Sequence, residues 1–380
     1  MEKTYKTIII GAGPGGLIAG RNLNDFIILD KKSVIGEPVQ CGEGISKKAL
    51  SMHQINPDKN WISCKINIVE RFVPNGKSFG TYHEDHSGYV INRIKFEQSL
   101  AEKIKDKIKL NTEVVSIKRS NDFWEVETSN GELFKSKYII GADGANSIVR
   151  KMVFPEVKDK LEFYPGIEYF METEKELKTD RVKMYFDNKK YNRGYAWIFT
   201  KSKNTANIGV CGKNIKMDAF DDFIENIVKK ECGELKIIKN KSGFIPILKE
   251  SFSAYKDNAL LIGDAAGFAD PFFKGGMNQS MLSGKTAAKC INEKRLKDYE
   301  KEINKFPFAS KDVLEASEIF YSFENEVFNE IGNTISGKNF SYLKTPEGQK
   351  EIMSNPVLLK NIDELFKFFS VWERSSDYLW

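Results

Sequence analysis

The sequence is poor in the residues that build metal centres and disulfides. It has three histidines (His53, His83, His86) and five cysteines (Cys41, Cys64, Cys211, Cys232, Cys290) among 380 residues. No two cysteines are spaced C-x-x-C, which argues against a zinc site or a thioredoxin-type pair. The histidine pair in His83-Glu84-Asp85-His86 could chelate a metal, but a solvated polar loop is the simpler reading, and no metal is expected. No apolar run approaches the roughly twenty residues of a membrane-spanning helix. The first apolar stretch begins at once as a strand and is broken by glycines, unlike a secretory signal. The formal net charge is +5, from 58 basic and 53 acidic residues. No long basic run accompanies it, so no nucleic acid partner is expected. These absences point to a cytoplasmic protein with reduced thiols, leaving peripheral contact with a membrane open.

What is present is an ordinary globular composition, 41% hydrophobic and 29% charged, and enough chain for two or three domains. Thr7 to Ile10 reads as a short, buried parallel strand. It runs into Gly11-Ala12-Gly13-Pro14-Gly15-Gly16, a G-x-G-x-x-G turn that opens a helix. Gly11 permits the tight turn, Gly13 lets backbone approach a pyrophosphate, and Gly16 lets helix and strand pack closely. The helix N-terminus then offers free N–H groups to phosphate. A second strand, FIILD, ends in Asp30, 19 residues beyond Gly11, placed to accept from a ribose hydroxyl. This combination predicts dinucleotide binding without separating NAD from FAD.

Two more strands end in glycine–acid turns. One carries Gly141, Asp143 and Gly144. The other carries Gly263 and Asp264, then a loop with Pro271, then Gly275-Gly276-Met277 at a helix start. Asp264 can meet a ribitol or ribose hydroxyl, and the amides near Gly276 and Met277 can face the carbonyls of a flavin ring. Between these sites, residues 163–174, 181–188, 193–201 and 205–212 alternate apolar and polar and read as antiparallel strands. Residues 218–232 read as an amphipathic helix, and the chain beyond about 292 is helical and charged. In the tail, Ile362, Leu365, Phe366, Phe369 and Trp372 fall near one helical face, suited to core packing or to a lipid surface.

In this order the three glycine sites resemble the FAD-binding pattern of the flavoprotein hydroxylase and reductase superfamily. Arg93 in YVINRIKFEQSLA resembles the arginine that this superfamily sets against the cofactor, and Val114 lies where it runs backbone past the adenine. Within the superfamily, PVQCGEGIS (38–46) resembles the cysteine–glycine loop of the geranylgeranyl reductase family, especially archaeal members that saturate membrane ether lipids. RGYAWIFTKS (193–202) resembles that family's aromatic motif through Tyr195, Trp197 and Phe199. Thr200 stands where the family has proline, and Lys274 where its flavin loop has the first glycine of G-x-G-[IM].

The resemblance implies an α/β fold: a Rossmann-type FAD-binding domain (1–64, 88–158 and 252–292), an inserted antiparallel sheet domain for substrate (65–87 and 159–251), and a C-terminal helical region (293–380). It implies FAD as cofactor, with Cys41, Gly42 and Gly44 beside the isoalloxazine, and reduction of polyprenyl double bonds by hydride from the reduced flavin. Tyr195 and Trp197 would stabilise developing positive charge, and Cys41 or Tyr195 would supply the proton. Cys41 could equally be a small packed group. With no second G-x-G-x-x-G, electrons are expected from NAD(P)H, ferredoxin or another reductant. The alternatives are a flavin monooxygenase, a halogenase, and a non-catalytic prenyl-binding escort protein.

Overall fold

The strand Lys3–Ile10 is buried from Thr7 onward and pairs in parallel with Leu133–Gly141 on one side and Phe26–Leu29 on the other. Ala259–Leu261 adds in parallel to Leu133–Gly141, and Ile108–Lys109 to Phe26–Leu29. Strands covered on both faces need unbroken apolar runs, and TIII, FIIL and ALL supply them. Helix Pro14–Arg21 follows the first strand and packs on helix Met277–Asn292. An antiparallel hairpin, Val114–Ser120 with Phe123–Thr128, extends from Leu133–Gly141. The computed structural model describes residues 3–376 and 378.

These elements belong to a first unit formed by Met1–Val39, Arg93–Phe163 and Ile245–Leu314; the second is formed by Gln40–Asn92, Tyr164–Phe244 and Glu315–Trp380. The boundaries differ from those expected chiefly at residues 40–64 together with 88–92 and in the C-terminal region, with smaller shifts at 159–163 and 245–251. Residues 40–64 group with the second unit because Gly44–Ser46 and Ile62–Ile66 both pair with Gly88–Ile91. The C-terminal helical region divides. Its first part stays with the parallel sheet, where the Tyr299 hydroxyl donates to the Leu261 carbonyl at 2.9 Å.

The second unit is built on a seven-stranded sheet. Its order is Leu235–Leu248, Leu161–Thr173, Thr205–Cys211, Tyr195–Ser202, Arg181–Tyr185, Ile68–Phe72 and Ser78–Tyr82. Arg181–Tyr185 runs parallel to Ile68–Phe72; its other neighbour, Tyr195–Ser202, is antiparallel. Period two separates two faces. Met171, Ala196, Ile198, Ala206, Ile208 and Val210 point to one side, where Phe220, Phe223, Val228 and Cys232 of the helical segment 217–232 close a core. The opposite face carries the aromatic motif.

In the tail helix Ile362–Ser376, Leu365, Phe368, Phe369 and Trp372 are buried, while Phe366 is 46% exposed. The packed stripe keeps Leu365, Phe369 and Trp372 of the expected face and takes Phe368 in place of Phe366, because Phe368 meets Phe320 and Phe340 in ring contacts. Among the described residues, no helix is long and apolar enough to cross a membrane.

Candidate cofactor and active site

In the first unit, Gly11 adopts φ 107°, and a Cβ there would lie 2.3 Å from the Ala142 carbonyl oxygen. A Cβ on Gly16 would strike the Gly11 oxygen at 2.0 Å, and one on Gly15 would come within 2.8 Å of the Ser280 oxygen. Gly13 is different. Nothing lies within 4 Å of its Cβ position, and it begins a helix with no side-chain cap.

Asp30 closes this turn from the neighbouring strand. One carboxylate oxygen accepts the Ala12 N–H at 2.6 Å and the other the Lys32 N–H at 2.9 Å. The sequence places Asp30 correctly at the strand end but does not show that it also braces the glycine turn. Val114 opens the hairpin strand and is buried. Asp143 caps the next helix, accepting from the Ile148 N–H at 2.6 Å and the Val149 N–H at 3.2 Å. Burial pushes its carboxyl pKa up, against those hydrogen bonds.

Arg150 was not foreseen. Its guanidinium donates to the carbonyls of Ala145 and Ala265, tying the second glycine–acid turn to the third. Asp264 sits in that third turn. Burial raises its pKa, with Arg93 and Arg150 drawing it back. Arg93 itself donates through Nε to the buried Glu97 at 2.5 Å. A Cβ on Gly276 would lie 3.0 Å from Asp264 Oδ1. Gly276 and Met277 begin the helix Met277–Asn292, again without a side-chain cap. Lys274, at the position of the family's glycine, takes the left-handed φ of 59° that glycine would adopt easily. Its Nζ is held by the Pro271 carbonyl at 2.7 Å.

In the second unit, cross-strand register sets the site. Glu168, Gly209 and Trp197 form one row, and Phe170, Asn207 and Phe199 the next. Tyr195 stands opposite Cys211, and its ring centroid is 5.7 Å from that of Trp197. Gly209 makes room for the indole, because a Cβ there would meet Trp197 at 2.3 Å. Loop 41–43 lies on this face. A Cβ on Gly42 would sit 2.9 Å from the Phe199 ring and 3.5 Å from Trp197 Nε1. Gly44 begins the short strand paired with Gly88–Ile91. Cys41 is partly exposed, whereas the other four cysteines are buried.

Charge is buried under the loop. Glu43 Oε2 lies 2.5 Å from Lys201 Nζ and accepts from Asn207 Nδ2 at 2.7 Å. Lys241 Nζ lies 3.1 Å from Glu168, with both side chains almost fully enclosed. Burial pushes the Glu168 pKa up; Lys241 opposes this, Glu43 adds to it, and the neighbouring Trp197 indole draws it down a little. Trp197 Nε1, Glu168 Oε2 and Asn207 Oδ1 are buried with no hydrogen bond of ordinary geometry among the described residues. Sequence reasoning missed Glu43, Glu168, Lys201 and Asn207. The available signal was parity: Glu168, Lys201 and Asn207 occupy the strand positions that share a face with Trp197. The histidine pair makes no metal cluster among the described residues; His86 contacts the Tyr89 hydroxyl and Asp85, each at 2.8 Å.

The first unit fits a dinucleotide. Two helix N-termini without side-chain caps each follow a glycine, and the space before Gly13, Gly144 and Gly275 is open. Residues 8–178 match the family model described as Pyridine nucleotide-disulphide oxidoreductase, and residues 163–245 match Geranylgeranyl reductase catalytic domain. Digeranylgeranylglycerophospholipid reductase 3 of Methanosphaera stadtmanae is 30% identical, over 92% of this chain and 96% of its own length. Digeranylgeranylglycerophospholipid reductase of Methanocaldococcus jannaschii is 31% identical, over 79% and 82%. The crystal structure of a geranylgeranyl bacteriochlorophyll reductase-like protein from Thermoplasma acidophilum shares the fold. Its TM-score is 0.82 at 22% identity, covering 96% of this chain and 100% of that one.

Proposed function

This chain belongs to the digeranylgeranylglycerophospholipid reductase family, and from that premise we propose that it is an FAD-dependent reductase saturating the carbon–carbon double bonds of geranylgeranyl chains in glycerophospholipids. The observation that carries the reading is a coincidence of place. The stretch matching the geranylgeranyl reductase catalytic domain, 163–245, supplies the sheet face on which Tyr195, Trp197 and Phe199 meet the Cys41–Gly42 loop.

In this reading, Gly13 and the first helix N-terminus would hold the pyrophosphate, Gly11, Gly15 and Gly16 would supply the tight turn and close packing that bring them there, and Asp30 would take a ribose hydroxyl. Val114 would lie beside the adenine. Arg93, Asp264, Gly276 and Met277 serve the rest of the cofactor, and Cys41, Gly42 and Gly44 the loop that the family sets at the ring. FAD, when bound and reduced, supplies a hydride.

An isolated alkene has no carbonyl to polarise it, so proton delivery must accompany or precede reduction, and positive charge develops on carbon. The faces of Tyr195 and Trp197 stabilise that charge by roughly 0.5–2 kcal/mol each. Their burial also excludes water from the reacting carbon. Cys41, the one partly exposed thiol among the described cysteines, is the proton-handling group we assign, with Tyr195 as its alternative. Electrons for the bound FAD would come from NAD(P)H, ferredoxin or another reductant.

The lipid is met at a membrane surface. The edge strand Leu235–Leu248 exposes Ile237, Ile238 and Phe244 by half or more, beside Lys236 and Lys239. Apolar side chains interleaved with lysines suit the headgroup boundary of an anionic bilayer.

The deciding experiment is anaerobic. Dithionite-reduced protein is mixed with a geranylgeranyl-bearing phospholipid, flavin reoxidation is followed, and the lipid is weighed by mass spectrometry. Reoxidation with a gain of two hydrogens per double bond supports the reductase. A flavin that stays reduced until oxygen is admitted, then yields hydroxylated product, replaces it with a monooxygenase.

A further inference from the structure

Glu43 accumulates two costs. Its φ is 68°, a left-handed conformation that a non-glycine residue adopts at a cost on the order of 1 kcal/mol or more. Its carboxylate, 4% exposed, is withdrawn from water with Lys201, and a buried ion pair seldom repays its desolvation. Both costs fall two residues after Cys41, and the geometry shows what they secure. The turn at residue 43 aims its backbone N–H at Cys41 Sγ, 3.2 Å away. The backbone carbonyl of Glu43 accepts from the Ile91 N–H at 2.9 Å. The side chain descends to the sheet, where Lys201 and Asn207 grip one carboxylate oxygen. Asn207 Nδ2 also reaches the Gly42 carbonyl at 3.2 Å, and the Lys201 ammonium stands 5.6 Å from the Phe170 ring centroid.

We propose that Glu43 is the positioning residue of the cysteine loop: Lys201 and Asn207 clamp its carboxylate, and the clamped residue holds its own backbone N–H on the Cys41 sulfur, orienting the thiol and favouring its thiolate. A hydrogen bond donated to sulfur stabilises the anion more than the neutral thiol. The proposal rests on the reading of this loop as part of a reductase site, but its test uses no substrate and stands or falls separately.

Other titratable groups near this face are the Glu168–Lys241 pair and Cys64, whose thiol burial pushes to about 11 while Lys201 draws it partway back. The other four cysteines are buried, and their alkylation, followed in the same digest, reports any loss of folding in a variant.

The experiment is alkylation of the purified holoprotein with iodoacetamide across a pH series, with Cys41 followed by peptide mass spectrometry. Rates are divided by the high-pH plateau, which removes differences in access. Lys201→Met and Glu43→Gly should each move the midpoint upward, so that the normalised rate at neutral pH falls about three- to tenfold. Glu43→Gly is decisive because it leaves the Lys201 cation uncovered. Charge alone would then move the midpoint down, so a downward or absent shift overturns the proposal. Lys201→Arg keeps a cationic jaw and should restore the wild-type midpoint. Asn207→Ala leaves the ion pair in place, which guards against variants that fail to fold. It should shift the midpoint upward by less, and an unmoved midpoint there also overturns the clamp.

Discussion

The Arg150 guanidinium donates to the Ala265 carbonyl at 2.8 Å, so one side chain fastens the turn after Leu133–Gly141 to the turn after Ala259–Leu261. Burial lowers its pKa, and Asp143 and Asp264 pull it back up. Arg150→Met should therefore strand several carbonyls and loosen both turns. The expected outcome is a stability loss of about 2–4 kcal/mol and FAD bound at least about tenfold more weakly. Denaturant titration and flavin release on dilution measure the two effects separately.

Asp270 gives a pH dependence. Its carboxylate accepts the Phe272 and Phe273 N–H groups at 2.9 and 2.7 Å, yet burial pushes its pKa from 3.8 to about 6. A carboxyl whose folded value is raised favours folding below the unfolded value, and that contribution is lost as pH rises through about 6, a difference of up to about 3 kcal/mol. Asp270→Asn keeps the accepting oxygen and drops the charge. The variant should melt higher than wild type above neutrality and converge with it in acid. Parallel melting profiles across that range would refute the assignment.

Gly209→Ala tests the aromatic face. The new methyl would have to displace the Trp197 indole and would also press on the Ile167 carbonyl oxygen at 2.7 Å, an overpacking cost of about 1–3 kcal/mol. Flavin content should be retained while kcat falls by about tenfold or more as the ring leaves its place. An unchanged kcat in folded, yellow protein would remove Trp197 from the chemistry.

Replacing Ile237, Ile238 and Phe244 together by serine should reduce cosedimentation with anionic liposomes about tenfold without altering the flavin spectrum. Wild-type binding should weaken as salt rises, since the lysine contribution is screened. Equal sedimentation of both proteins would move the membrane contact elsewhere.

What was legible in the sequence was local. The glycine–acid turns declare themselves within a few residues, and the strands of the sheet show their alternation one residue at a time. The pairing of Glu43 with Lys201 and Asn207 spans 158 and 164 residues, and nothing in GEPVQCGEGIS alone indicates which cation would meet its glutamate. Arg150 was hidden for a related reason: an arginine in a short helix reads as solvated until the fold brings carbonyls to it. Phe366 was misplaced because neighbouring helical positions differ by 100°, so one apolar residue in a cluster of three can be turned outward without disturbing the pattern.

The contact between Gly15 and helix Met277–Asn292 has a further consequence. A Cβ on Gly284 would lie 2.3 Å from the Gly15 oxygen, so the two helices touch backbone to backbone. Each begins at an uncapped N-terminus, so this contact works as a ruler. It sets the span between the two uncapped ends, and on the proposed reading the length of ligand that would bridge them. A single methyl at Gly284, far in sequence from the dinucleotide motif, would stretch that span.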